Sequence, residues 1–230
     1  MSALRAATRA DVAGLPLAVA PRLLGGHVTT VLPDGTVTAR ITEVEAYHGL
    51  GTGPVPDPGS HARMGATPRN AVMWGEPGHL YVYLSHGIHS CVNVVCGPEG
   101  VAGGVLLRGA EIIEGQDVAF RRRPAARTER ELARGPGRLG DAVGLRYPMH
   151  NGVDAIEGPI ARLELLVEPL AGIATGPRVG VAGVAGTAVF PWRFWIPGEP
   201  TVSPFRFGRG AGELAAESVR RSSGTPPVLD

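Results

Sequence analysis

The segment Arg40-Ile-Thr-Glu-Val-Glu-Ala-Tyr47 alternates apolar and polar residues with a period of two, the pattern of a half-buried strand. It commits this part of the chain to a sheet with one face on a core. The other face, expected to be wet, carries Glu43, Glu45 and Tyr47 in succession. Two carboxylates and an aromatic ring on one rigid strand can build a reaction site. They can equally be an ordinary solvated face.

Neighbouring segments supply the rest of a sheet. His27–Leu32 and Thr36–Tyr47 read as strands joined at the turn Pro33-Asp34-Gly35. His79–Ser85 and Ile88–Val95 read as a hairpin with His86 at its tip, Leu80, Val82 and Leu84 on one face and Tyr81 and Tyr83 on the other. Val105–Arg108 predicts a strand running into a helix at Ala110–Glu114. Leu163–Pro169, Arg178–Val184 and Trp192–Ile196 complete the predicted strands. A short helix is expected over Ala18–Leu24, ended by Gly25-Gly26. A basic helical region runs from Asp117 to Leu145, broken at Pro124 and at Gly135-Pro136-Gly137. The expected architecture is α/β: one mixed domain with a curved, mostly antiparallel β-sheet, flanking helices and a protruding β-hairpin. The domain is placed at 15–208, with a flexible N-terminal lead over 1–14 and a flexible tail over 209–230.

The span from His48 to Asn70 is dense in Gly and Pro, and a loop this long in a compact domain is functional or disordered. It carries His61, Arg63 and Arg69, which favours function. The chain has 230 residues and a net charge of only +1, so any grip on a polyanion must come from a local patch. All the basic residues are arginine, which binds phosphate with a planar fork but offers no amine for Schiff-base chemistry. The two cysteines, Cys91 and Cys96, point to opposite faces of one strand, so no disulfide framework is expected and a reducing cytoplasm suits the chain. Leu15–Ala20 is too short, and too interrupted by Pro16, to be a signal sequence or membrane span.

Glu45, hemmed by aromatic residues, can serve as a general base toward water. His86, His89 and Cys91 invite a metal reading, but on a strand His86 and His89 face opposite ways and no second ligand pair follows, so no metal or cofactor is expected. The run Arg121-Arg-Arg123, Arg127, Arg130, Arg134 and Arg138 reads either as a salt-bridged helix with Glu129 and Glu131 or as a cradle for a phosphate backbone.

These pieces occur in an order that resembles the alkyladenine (3-methyladenine) DNA glycosylase family. The markers are Glu43-Val-Glu-Ala-Tyr47, Thr67-Pro-Arg-Asn70, Gly78-His-Leu-Tyr-Val-Tyr83, Cys91-Val-Asn93, Val105-Leu-Leu-Arg108, Gly135-Pro-Gly-Arg-Leu139, Arg178-Val-Gly-Val181 and Arg193-Phe-Trp195. The resemblance runs from about Pro21 to Phe205. It implies a monofunctional enzyme that flips alkylated or deaminated purines out of duplex DNA and hydrolyses the N-glycosidic bond, working in the cytoplasm as a monomer. By position, Glu45 resembles the carboxylate that activates water, and Arg108 and the backbone carbonyl of Val179 resemble the groups that help hold that water. Tyr47, His61 and Tyr83 resemble the walls of the base pocket, and Asn93 the residue that crowds the 2-amino group of normal guanine. Arg69, Arg134 and Arg138 are the expected contacts to the DNA backbone. The absence of lysine, with Met1 rather than proline at the encoded N-terminus, argues against an amine-driven strand-cleaving step.

Two positions depart from the pattern. The hairpin tip, where the family commonly places a tyrosine wedge, is His86, a smaller and more polar plug. Thr201 stands where relatives often carry tryptophan. Rival readings are a non-catalytic damaged-DNA-binding module, a metal-dependent nucleoside hydrolase using His86 and His89, and a glycosylase acting on free nucleosides.

Overall fold

A computed structural model of the chain describes residues 3–49 and 54–222. The extreme ends of the expected lead and tail, and positions 50–53 of the long loop, lie outside the described residues. The elements in chain order are β1 (Leu4–Ala6), α1 (Arg9–Val12), α2 (Pro16–Leu23), β2 (His27–Leu32), β3 (Gly35–His48), β4 (His79–Ser85), β5 (His89–Val95), β6 (Gly103–Glu114), α3 (Gln116–Arg122), α4 (Glu129–Leu132), α5 (Pro136–Val143), β7 (Val153–Asp154), β8 (Ala161–Leu166), β9 (Ala174–Gly176), β10 (Arg193–Trp195) and α6 (Ala211–Ser222). The strands form one curled sheet in the order β1-β8-β2-β3-β6-β5-β4-β7, with β10 paired to both β3 and β9. Every pairing is antiparallel. The mixed α/β class and the curved antiparallel sheet expected from the pattern are therefore what the chain builds.

The long strand β3 organises the sheet. Its first half pairs with β2, and Glu43–Glu45 pair with β10. A strict period of two would place Ile41 on the same face as Glu43. The chain avoids this with register shifts between Ile41 and Val44, so that Val37, Ala39 and Ile41 before the irregularity share the main core with Val44 and Ala46 after it. That core lies between the sheet and Val19, Ala20 and Leu23 of α2, Val118 and Ala119 of α3, and Leu139, Ala142 and Val143 of α5. Helix α2 starts with Pro16 in its first turn, where a missing N–H costs nothing.

Two element expectations are corrected, and parts of the lead and tail have regular structure. Ala110–Glu114 is not a helix but the end of β6: Ala110 and Ile112 face the core opposite Ile41 and Ala39, while Glu111 reaches Arg40, so tertiary alternation overrides helix propensity. Arg178–Val184 is not a strand. Arg178 turns into the interior, and the Val179 N–H is taken by a carboxylate instead of a ladder. The lead is tied into the fold, because β1 pairs with β8, Thr8 and Asp11 form a capping box on α1, and Arg5 makes a two-pronged bond to Asp11. The tail from Ala211 is helical to Ser222. Among the described residues, no helix is long and apolar enough to cross a membrane.

Candidate active site

Register assembles the site. Arg193 of β10 lies opposite Glu45 of β3, Glu45 opposite Leu106 of β6, Leu106 opposite Asn93 of β5, and Asn93 opposite Tyr81 of β4. Residues paired in this way share one face of a sheet. The intervening residues Val44, Leu107, Val92, Val94, Leu80 and Val82 point the other way, into the main core. One face of the sheet thus packs the interior while the other presents chemistry.

That second face is not wet. Glu43 and Glu45 are both 0% exposed, covered by the loops that follow β9 and β10. One oxygen of Glu45, Oε1, accepts the Val179 N–H at 2.7 Å and lies 3.5 Å from Arg108 Nε. The other, Oε2, accepts the Tyr47 hydroxyl at 2.8 Å. Each carboxylate oxygen has two lone pairs, so acceptor capacity remains on both. Burial, then the negative charge of Glu45, push the Tyr47 hydroxyl well above the ordinary tyrosine range, so it stays a donor.

In front of this group lies a cavity of about 710 Å3, whose lining includes Tyr47, His61, Tyr83, Asn93, Arg108 and Val179. The structure therefore gathers every expected wall residue, together with the three neighbours of Glu45, around one space. Tyr83 meets His61 edge-on at 4.5 Å and stacks against Tyr81 at 5.3 Å. Burial lifts the Tyr81 hydroxyl to about 12 and the Cys91 thiol, beside Tyr83, to about 11. Asn93 is fixed by a bond from its amide to the Tyr81 carbonyl at 3.1 Å. His61 opens a 3-10 turn capped by Ser60, and the Asn70 amide grips the His61 carbonyl while the Asn70 oxygen accepts from Thr67. The Thr67–Asn70 motif is thus a clamp that places His61. Desolvation of its ring, then Arg69 and Arg63, lower the His61 pKa, which favours the neutral imidazole.

Two buried ion-pair groups stand behind the walls, and three of their members, Arg178, Asp57 and Arg193, had no role expected from the sequence. Arg178 is fully buried, joined to Asp57 by bonds of 2.7 and 2.8 Å, and lies 4.5 Å from the Tyr47 ring. Asp57 also accepts the His48 N–H, so the pair ties the long loop to the end of β3. Glu43 receives Arg193 at 2.6 Å and the Ser203 N–H at 2.7 Å, with Arg108 Nε at 3.1 Å. Arg108 is therefore held between two carboxylates and Ser203. Thr201 sits in the same layer, its hydroxyl 2.8 Å from that of Thr42 at the irregularity of β3. An arginine with a distant acid or two inside a Pro-rich loop leaves no pattern in sequence that would pair them.

At the rim, His86 occupies the hairpin tip with φ 52°, followed by Gly87 at φ 71°, the left-handed pair that a tight hairpin turn requires. His86 is exposed and its Nδ1 lies 3.0 Å from the Ser85 hydroxyl. Arg69 donates to the Leu84 carbonyl at 2.6 Å and lies over Tyr83, bracing the hairpin. Arg134 donates to the Val202 carbonyl at 2.9 Å, and Arg138 is exposed. Among the described residues, no three His, Cys, Asp or Glu side chains come together as a metal site.

The profile of the methylpurine-DNA glycosylase family matches residues 11–200. A protein of Leifsonia xyli subsp. xyli named "Putative 3-methyladenine DNA glycosylase" is 53% identical over 194 residues, 83% of this chain and 88% of its own. Proteins of the same name from Nocardia farcinica and Streptomyces avermitilis are 51% and 49% identical, over 83% and 86% of this chain and 87% and 91% of theirs. These matches define the class, that of DNA glycosylases: hydrolases of the N-glycosyl bond that bind damaged DNA in base excision repair. Within that class, the chain belongs to the methylpurine-DNA glycosylase family.

Proposed function

We propose that this protein is a monofunctional glycosylase that releases alkylated or deaminated purines from duplex DNA with a water activated by Glu45. The observation that carries the reading is the placement of Glu45 directly behind Tyr47, Arg108 and Val179 at the wall of a cavity roomy enough to take a flipped base. The purine must first leave the stack, at a cost of a few kcal/mol. Stacking on Tyr47 and Tyr83 offsets about 1–3 kcal/mol of that. A cationic alkylated purine gains further from the electron-rich ring faces, and a neutral His61 avoids repelling it. Such a base leaves as a neutral molecule, so one carboxylate that steadies the oxocarbenium-like sugar and takes a proton from water suffices. Arg108 and Val179 hold the carboxylate, and in this reading the Val179 N–H, rather than its carbonyl alone, is a working contact. Asn93 crowds a 2-amino group, which disfavours normal guanine. His86 fills the space left in the duplex, and Arg69, Arg134 and Arg138 approach the backbone phosphates. The absence of lysine supports hydrolysis without strand cleavage.

The decisive assay uses duplex oligonucleotides bearing one hypoxanthine, ethenoadenine or alkylated purine, with EDTA present. Free base is expected from at least one of them, and Glu45→Gln is expected to slow its release by about a hundredfold or more. Failure to release any of the three at enzyme excess removes the reading.

A further inference from the structure

The cavity lining contains a side chain that the glycosylase chemistry does not use. Phe207 and its neighbour Arg206 line the same cavity as Tyr47, Val179 and the tip residue His86. Phe207 is 48% exposed and Phe205 37%, although both are large apolar rings. An exposed phenylalanine forgoes the stabilisation that burial would give it, so two of the chain's five in one tripeptide at a cavity mouth point to a ligand with a flat apolar face.

The tripeptide is also rigid. The Gly180 N–H donates to the Arg206 carbonyl and the Gly183 N–H to the Arg209 carbonyl, each at 2.9 Å. Gly208 packs so closely on the Val181 carbonyl that a Cβ there would collide with it. Phe205 braces Phe207 edge-on at 4.8 Å and is itself covered by Arg193 at 5.9 Å. The segment is therefore fixed to the loop that delivers Val179 to Glu45. Arg206 and Arg209 are exposed beside the rings, and Arg63 lines the cavity with Arg206. Rings interleaved with arginines, continuous with an aromatic-walled cavity, match the chemistry of a nucleotide: a π-face to stack and a phosphate to neutralise. The segment lies past residue 200, where the family match ends.

We propose that Phe205-Arg206-Phe207 is a second DNA-contact site at the mouth of the cavity, with Phe207 stacking on the nucleobase beside the flipped purine and Arg206 meeting its phosphate. The inference rests on the reading of duplex DNA as substrate. It gives the enzyme an aromatic at the mouth of a pocket whose hairpin tip carries only an imidazole.

The test measures the Kd of the full chain for a duplex bearing one tetrahydrofuran abasic analogue, beside excision of hypoxanthine from a matched duplex. Phe207→Ala is expected to raise Kd about tenfold and Phe207→Trp to restore it. Arg206→Gln is expected to flatten the slope of log Kd against log salt by about one unit. Wild-type affinity in Phe207→Ala, or no recovery in Phe207→Trp, overturns the stacking site, and an unchanged slope in Arg206→Gln overturns the phosphate contact. If the wild-type chain binds the duplex but releases no base, the Glu45 reading falls while the Kd comparison still decides Phe207. A wild-type chain that does not bind the duplex overturns both.

Discussion

Glu43 and Glu45 are one strand period apart, and only their covering distinguishes them. Glu43 is closed in by Arg193, Ser203 and Arg108, a knot in which every oxygen has a cation or an N–H against it. Glu45 instead has Tyr47 and Val179 as its close partners, and both line the cavity. The alternation around Tyr47 made this face legible in the sequence, but its burial was not. Val179, Arg193 and Ser203 come from more than 130 positions away, and no local pattern announces them. The Tyr47 hydroxyl gives a test at this scale. Tyr47→Phe keeps the stacking ring and removes one bond to a charged carboxylate, worth about 1.5–3 kcal/mol. Lesion-duplex affinity should therefore stay near wild type while the first-order excision rate falls roughly 10- to 100-fold. An equal fall in affinity and rate would mean that the hydroxyl serves binding instead of orienting Glu45.

At the scale of elements, the instructive piece is the join between the long loop and the end of β3. The sequence marked the loop as functional through its length and His61, yet its anchor is Asp57, which meets the buried Arg178 and the backbone of His48. His48 itself packs edge-on against Trp192 at 5.2 Å, with its Nε2 buried and without a hydrogen-bond partner. Burial, opposed by Asp57 and reinforced by Arg178, pulls its pKa down from 6.5 to about 4. An unfolded chain takes up this proton near pH 6.5 while the folded chain resists until about pH 4, so stability is full above pH 6.5 and declines as pH falls through that window. The loss amounts to about 3 kcal/mol by pH 4. His27 and His61 are lowered too and add to the same trend. Asp11, held well below the ordinary carboxylate range by Arg5, contributes only at lower pH. Urea midpoints measured at pH 7 and pH 4.5 should differ less for His48→Phe than for wild type. Parallel shifts in the two proteins would show that the join does not carry this proton linkage.

Across the whole molecule, a net charge of +1 leaves duplex binding to the placement of individual arginines. Sequence could not divide the run from Arg121 to Arg138 between a cross-linked helix and a phosphate cradle, because most of the groups that answer it are a remote acid or backbone carbonyls. In the fold, Arg122 is bound to Asp34 in the β2–β3 turn and to the Ala142 carbonyl, and Arg123 donates to the Glu131 and Leu132 carbonyls. Arg121 pairs with Asp117. This part of the run is an internal clamp among α3, α5 and the sheet. Arg138, on α5 one residue beyond the Pro136-Gly137 start, remains exposed. We propose that the two readings of the run apply to different members of it, and paired substitutions separate them. Arg138→Gln should reduce the slope of log Kd against log salt for duplex DNA by about 0.9 and leave the urea midpoint unchanged. Arg122→Gln should do the reverse, leaving the slope intact while removing a largely buried guanidinium from its partners and lowering stability by about 1–3 kcal/mol. Equal slopes for the two variants would assign the whole run to one role.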